Sequence, residues 1–178
     1  MYLLGQLCGV GGTIATILQP QFRKRVHILL CCMVVNALNG LNFLFIGSGD
    51  SAFYLCLVAV VQAAVAIVHE KRNTPVSTVE TILFFLLYVG CGLWGMISAE
   101  GFMWGLTAEN LLQLLPILGA VMLMLSVFSK TEQQTRAFLF LNGACWAVYT
   151  AIVGAMVFFS SLAAMISAGS ALWKYRKK

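Results

Sequence analysis

Residues 26–68 read VHILLCCMVVNALNGLNFLFIGSGDSAFYLCLVAVVQAAVAIV, 43 residues with no lysine or arginine and one acid, Asp50. As a single helix this stretch would be about 65 Å long, twice the hydrocarbon thickness of a bilayer. It must therefore fold back on itself. Gly47-Ser48-Gly49-Asp50, near its middle, is the turn signal. The stretch predicts two membrane spans joined on one side of a membrane, with its two ends on the other.

The same reading extends outward in both directions. A first span is expected over Met1–Pro20, closed by Gln21, Phe22 and the triplet Arg23-Lys24-Arg25. No basic segment precedes it, so a span is expected there rather than a removed signal peptide. Beyond His69–Pro75, a fourth span runs over Val76–Ala99. Glu100 and Gly101–Glu109 separate it from a fifth, Asn110–Phe128, and Ser129–Thr135 reads as a polar loop. Arg136–Trp173 is again too long for one span, and Gly154 divides it into a sixth and a seventh.

Composition agrees. Of 178 residues, 61% are apolar and 10% charged, against roughly 45–50% and 25% in ordinary globular chains. A soluble domain could not cover its surface this way. The net charge of +5 does not signal nucleic acid, because the bases cluster at the ends of apolar runs. With seven spans, Arg23/Lys24/Arg25, Lys71/Arg72, Lys130/Arg136 and Lys174/Arg176/Lys177/Lys178 share one side, and Asp50, Glu100 and Glu109 lie on the other. The positive-inside rule then puts the N-terminus outside and the C-terminus in the cytoplasm, with the chain in a cell membrane. The six cysteines all fall in apolar segments without zinc-ligand spacing and read as small buried hydrophobes.

Spans one to three and five to seven have matching layouts. An offset of 107 residues aligns them without a gap, pairing Gln6 with Gln113, Gly12 with Gly119, Gly47 with Gly154 and Lys71 with Lys178. Only ten of the 68 pairs from Leu4 to Lys71 are identical, so the shared layout is the stronger sign. Three spans per repeat, with span four between them, give both halves one orientation. The fold expected is an all-α integral membrane protein of seven helices: a first three-helix bundle over 1–72, a linker helix and outer loop over 73–105, and a second three-helix bundle over 106–178. Parallel repeats of this kind occur in transporters.

This 3+1+3 layout, with Pro20-Gln21 closing the first span before its basic loop, resembles the SWEET, SemiSWEET and PQ-loop superfamily of small-molecule facilitators. A closer resemblance is to the bacterial inner-membrane YgjV-type family. It is carried by Leu115-Pro116-Ile117-Leu118-Gly119, Arg136, Cys145-Trp146-Ala147-Val148-Tyr149 and Gly154. The resemblance to SWEET-type proteins implies a central pocket with an asparagine from the third helix of each bundle and nearby tryptophans. Trp146 fits the aromatic role. Span three offers Gln62 in place of asparagine, and span seven offers Ser167 and Ser170; Val127-Phe128 stands where a second proline–glutamine pair would be.

The residues themselves suggest a site. Asn36, Asn39 and Asn42 recur every third position along span two, and a side-chain amide in hydrocarbon costs several kcal/mol unless paired. They should face protein or a cavity; as interhelical glue, such bonds average about 0.6 kcal/mol each. Asn39 is nearest mid-span and is the foremost pocket candidate. Asn142, Trp146 and Tyr149 stand at i, i+4 and i+7 on span six, hence on one face; the plain alternative is an aromatic packing stripe. Gln6 and Gln113 read as mouth residues or simple interfacial polars. Gly5, Gly9 and Gly12 permit close helix packing. Pro20, Gln21 and Pro116 are candidate hinge or gating positions. Ser77-x-x-Glu80 reads as a capping box rather than an intramembrane acid, and His27 and His69 as interfacial.

No ionisable residue falls at mid-span, where it would mark a proton relay. No catalytic triad, phosphate loop or metalloprotease signature is present. An enzyme is not expected, nor any cofactor or metal. The function expected is facilitated passage of a small neutral polar solute by alternating access. The rival is a non-transporting membrane subunit or sensor that reuses the fold. The partners expected are the lipid bilayer and that solute, not nucleic acid; a homo-oligomer is compatible with the pattern.

Overall fold

The computed structural model describes residues 2–46, 50–98, 108–153 and 158–175. All regular secondary structure in it is helical: α1 (Tyr2–Leu18), a 3-10 turn (Gln19–Gln21), α2 (Arg25–Ile46), α3 (Asp50–Arg72), α4 (Thr78–Ile97), α5 (Ala108–Phe128), α6 (Glu132–Val153) and α7 (Phe158–Lys174). The long apolar stretch is two helices, α2 and α3. The other long stretch is likewise two, α6 and α7. The turn glycines expected at Gly47, Gly49 and Gly154 lie outside the described residues, as do Glu100 and the last three bases.

Helix ends follow local chemistry. Asn73 takes a left-handed backbone (φ 52°), and Asn73 N and Thr74 N donate to Glu70 O (3.2 Å) and His69 O (3.0 Å). This is a Schellman closure of α3, which Pro75 then prevents from extending. The capping box at the start of α4 is formed: Ser77 N donates to Glu80 Oε2 at 2.7 Å, and Val79 N donates to Ser77 Oγ at 3.2 Å. Glu80 also meets His69 Nε2 at 3.1 Å, tying the end of α3 to the start of α4. His27 is exposed and packs edge-on to Phe22.

One boundary differs from expectation. The polar loop at Ser129–Thr135 is shorter, because Thr131 Oγ1 accepts from Gln134 N at 3.2 Å and starts α6 at Glu132. Glu132-Gln133-Gln134 is thus the polar first turn of a helix. Likewise α1 ends at Leu18, and Gln19-Pro20-Gln21 tightens into the 3-10 turn.

Packing is regular. α2 lies against both α1 and α3, and α6 against both α5 and α7; α4 bridges α3 and α5. α1 also touches α7, and α5 touches α3. α6 is α2 displaced by 107 residues at both ends. Three buried clusters meet around Leu123 of α5. Leu29, Cys32, Ala66, Ile67 and Val127 form one. Ala59, Phe84, Tyr88, Ala120 and Met124 form another. Ile28, Leu139 and Ala168 form the third, from α2, α6 and α7.

The outer surface carries many large apolar side chains. Leu3, Leu7, Val10 and Ile14 of α1 and Ile82, Leu83, Leu86 and Trp94 of α4 are exposed. Among the described residues, Arg25–Phe45, Phe53–Arg72 and Thr78–Gly95 are long and apolar enough to cross a membrane, and the last is only 11% buried inside the protein. An apolar helix so little covered by protein is solvated by lipid tails.

Candidate functional site

Asn39 and Asn42 of α2 meet the glycines of α1. Gly5, Gly9 and Gly12 recur at i, i+4 and i+7, so they line one helix face and leave its backbone open. Asn42 Nδ2 donates to Gly5 O at 2.6 Å. A Cβ on Gly9 would lie 2.7 Å from Asn42 Nδ2, and one on Gly12 would overlap Asn39 Oδ1. Asn36 turns back on its own helix, with Nδ2 donating to Cys32 O at 2.8 Å.

The equivalent interface in the second half carries different chemistry. A Cβ on Gly119 of α5 would lie 3.0 Å from Trp146 Nε1 and 3.4 Å from Asn142 Oδ1. Trp146 and Tyr149 stack edge to face at 6.0 Å. Gly12 and Gly119 correspond under the 107-residue displacement, and so do Asn39 and Trp146. The same glycine contact is thus made twice, to an amide in one half and to an indole in the other. Asn142 Oδ1 is buried without a hydrogen-bond partner. Among the described residues only Arg25 Nε and Gln133 Oε1 share that condition.

Gln62 is fully buried and hydrogen-bonded at both ends of its amide, between three helices. Its Nε2 donates to Met124 O at 3.0 Å, and its Oε1 accepts from Tyr88 OH at 2.9 Å. It bonds α3 to α5 and to α4. Pro116 sits inside α5, which runs unbroken through it. Gln6 is exposed, and the side chain of Gln113 lies outside the described residues.

Pro20 and Gln21 stand in the most polar contact between the two halves. Gln21 Nε2 donates to Ser167 O (2.9 Å), Ser167 Oγ (3.0 Å) and Ser170 Oγ (3.0 Å) of α7. Arg136 Nε donates to Pro20 O at 3.1 Å, and its Nη2 to Phe22 O at 2.7 Å. The Arg136 guanidinium lies 4.5 Å from the centre of the Tyr175 ring, whose hydroxyl donates to Gln21 O at 3.1 Å. Ser167 Oγ donates to Ile17 O. On the other flank Arg25 pairs with Glu70, and its Nη2 donates to Val127 O at 3.0 Å.

The sequence marked Pro20, Gln21, Ser167, Ser170 and Arg136 separately, without joining them in one cluster. Arg136 counts there as one base among eleven that set topology, yet it is 3% exposed. The available signal was its place beyond the loop, in a segment that also reads as helix.

Two concavities open on the outer surface. One of about 280 Å³ is lined by Tyr54, Gly90, Cys91 and Trp94. The other, about 390 Å³, lies between α4 and α5 and is lined by residues such as Phe85, Val89, Leu114 and Leu118. Neither includes a candidate amide. Among the described residues no three His, Cys, Asp or Glu side chains are grouped as metal ligands would be.

Over residues 3–178 the chain matches the family Imp-YgjV, described as bacterial inner membrane protein. It belongs to that family. No curated protein and no solved structure matches it. Membership makes the bilayer its surroundings and agrees with the lipid-facing surfaces of α1 and α4. For this inner-membrane protein the polar groups between helices are amides, hydroxyls, an indole, guanidinium groups, and the carboxylates of Glu70 and Glu80 with the His69 ring.

Proposed function

We propose that this inner-membrane protein is a facilitator of a small neutral polar solute and not an enzyme. It would be two parallel three-helix bundles, α1–α3 and α5–α7, joined by α4 in the SWEET-like manner. All seven helices would span the membrane, with the N-terminus outside and the C-terminus cytoplasmic. Alternating access would come from rocking one half against the other. Support comes from the repeated Gly12–Asn39 and Gly119–Trp146 contacts and from the matching cross-contacts, α1 on α7 and α5 on α3.

The observation that carries the solute site is Asn142 Oδ1, a buried acceptor that no protein donor reaches, beside Trp146 and Tyr149. An unmet acceptor against aromatic rings fits a solute with a hydroxyl or amide donor and a flat or apolar face. Asn39, at the position equivalent to Trp146, is the first half's counterpart. Asn36, Asn42 and Gln62 serve as helix contacts in this reading.

The test is solute flux into proteoliposomes without a proton gradient, after a thermal-shift screen of sugars, nucleosides and vitamins. Asn142→Ala and Trp146→Ala should lower flux by about tenfold, the worth of one lost hydrogen bond to ligand. Unchanged flux in both variants would remove the site. A second reading, a non-transporting subunit, is favoured by the backbone bonds of Asn36, Asn42 and Gln62. It expects no solute-dependent stabilisation and no flux.

A further inference from the structure

We propose that the basic end of the bundle is a gate, closed in this structure by two arginines that each grip the end of the opposite half's first helix. The inference rests on the facilitator reading and adds the closing device to it. Pro20 and Val127 correspond under the 107-residue displacement. Each closes the first helix of its half, where carbonyls lack intrahelical partners and seek outside donors. Pro20 O receives Arg136 of α6, and Val127 O receives Arg25 of α2. The exchange is reciprocal: each half supplies one cation and one helix end.

The two arginines do not correspond to each other. Glu132 stands at the position equivalent to Arg25, and Leu29 at the position equivalent to Arg136. Equivalent acceptors are thus held by donors placed separately in each half. Simple duplication would not produce that arrangement; a requirement to close both sides would.

The bonding suits a latch that opens. Arg136 is buried against neutral carbonyls and the Tyr175 ring. A buried cation held without a bonded carboxylate retains a large drive toward hydration, which offsets the bonds lost on opening. The planar fork reaches Pro20 O and Phe22 O together, which an ammonium group cannot match. Gln21 adds three bonds to α7 across the same seam. Beneath the grip lie Cys32 and Ala168, buried in apolar clusters.

Two measurements test the gate on the full-length protein. In the first, the other five cysteines are replaced by alanine, and labelling of Cys32 by a membrane-impermeant maleimide is followed in inside-out vesicles. Arg136→Gln should speed labelling by about tenfold or more and Arg136→Lys by less, as the closed population falls. Tyr175→Phe, which keeps the ring, should have the smallest effect. Equal labelling of Arg136→Gln and the parent would overturn the proposal.

The second measurement holds even where Arg136→Gln does not fold. Gln21→Cys with Ser170→Cys is oxidised to a disulfide across the seam. The locked protein should label at Cys32 more slowly than its reduced form and lose flux, and reductant should restore both. Labelling unaffected by complete cross-linking would sink the gate. Labelling needs no transported solute. A protein that gates but carries no solute would therefore overturn the facilitator reading and leave the gate standing.

Discussion

At the scale of single residues, buried polar atoms here divide into two kinds. Gln62 has both ends of its amide engaged, by Met124 O and Tyr88 OH, inside an apolar cluster. Removing it leaves a carbonyl and a phenol buried without partners. Gln62→Ala should cost about 2–3 kcal/mol, and Tyr88→Phe about 1 kcal/mol, measured by unfolding in detergent. Asn142 is the opposite case, since its buried Oδ1 has nothing to lose. Asn142→Leu should leave stability within about 0.5 kcal/mol of the parent, or raise it, while flux falls. A Gln62-sized loss at Asn142 would show it to be packing glue and return the site to the non-transporting reading.

At the scale of elements, glycines report how closely helices approach. Gly143 of α6 faces the backbone of Met165 in α7, where an added Cβ would lie 3.1 Å from Cα and 3.2 Å from N. Backbone cannot step aside as a side chain can. Gly143→Ala should therefore destabilise by about 1–3 kcal/mol. Gly90 of α4 has nothing within 4 Å of such a Cβ. Gly90→Ala should be neutral or gain a few tenths of a kcal/mol from helix propensity. Thermal unfolding of the two variants side by side separates the protein-facing from the lipid-facing glycine. The start of α4 depends on its cap, and Ser77→Ala should cost about 1 kcal/mol.

At the scale of the whole molecule, the basic end is both the topological marker and the most polar seam between the halves. A reporter fused to the C-terminus should be active in the cytoplasm and inactive as a periplasmic enzyme. The opposite result would invert the orientation and move the gate to the outer face. Hydrogen bonds described between the halves run from Gln62–Met124 toward this end, through Ser167–Ile17, Gln21–Ser167, Arg136–Pro20 and Arg25–Val127.

Helices α2, α3, α6 and α7 were legible from length, because apolar runs longer than a bilayer have to fold back. The caps at Ser77 and Asn73 were local, since their partners lie within five residues. Residue type and spacing also marked Asn142, Trp146 and Tyr149 as one face. What neither spacing nor type can give is the partner across a helix interface. Asn36, Asn39, Asn42 and Gln62 look alike in a sequence of hydrophobes. Tertiary packing sends one to its own helix, two to the glycine face of α1, and one into the seam of α3, α4 and α5. Arg136 stood at the start of a span as one of the topology-setting bases, and packing buried it against the turn that follows α1. The sequence by itself determined the solvent, the helices and the clustering of bases at helix ends, because these depend on hydropathy, chain length and the positions of Lys and Arg. Only the tertiary structure decided which polar groups are satisfied by protein and which are not, because that depends on contacts between different helices, 26 positions apart for Gln62–Tyr88 and 116 for Arg136–Pro20.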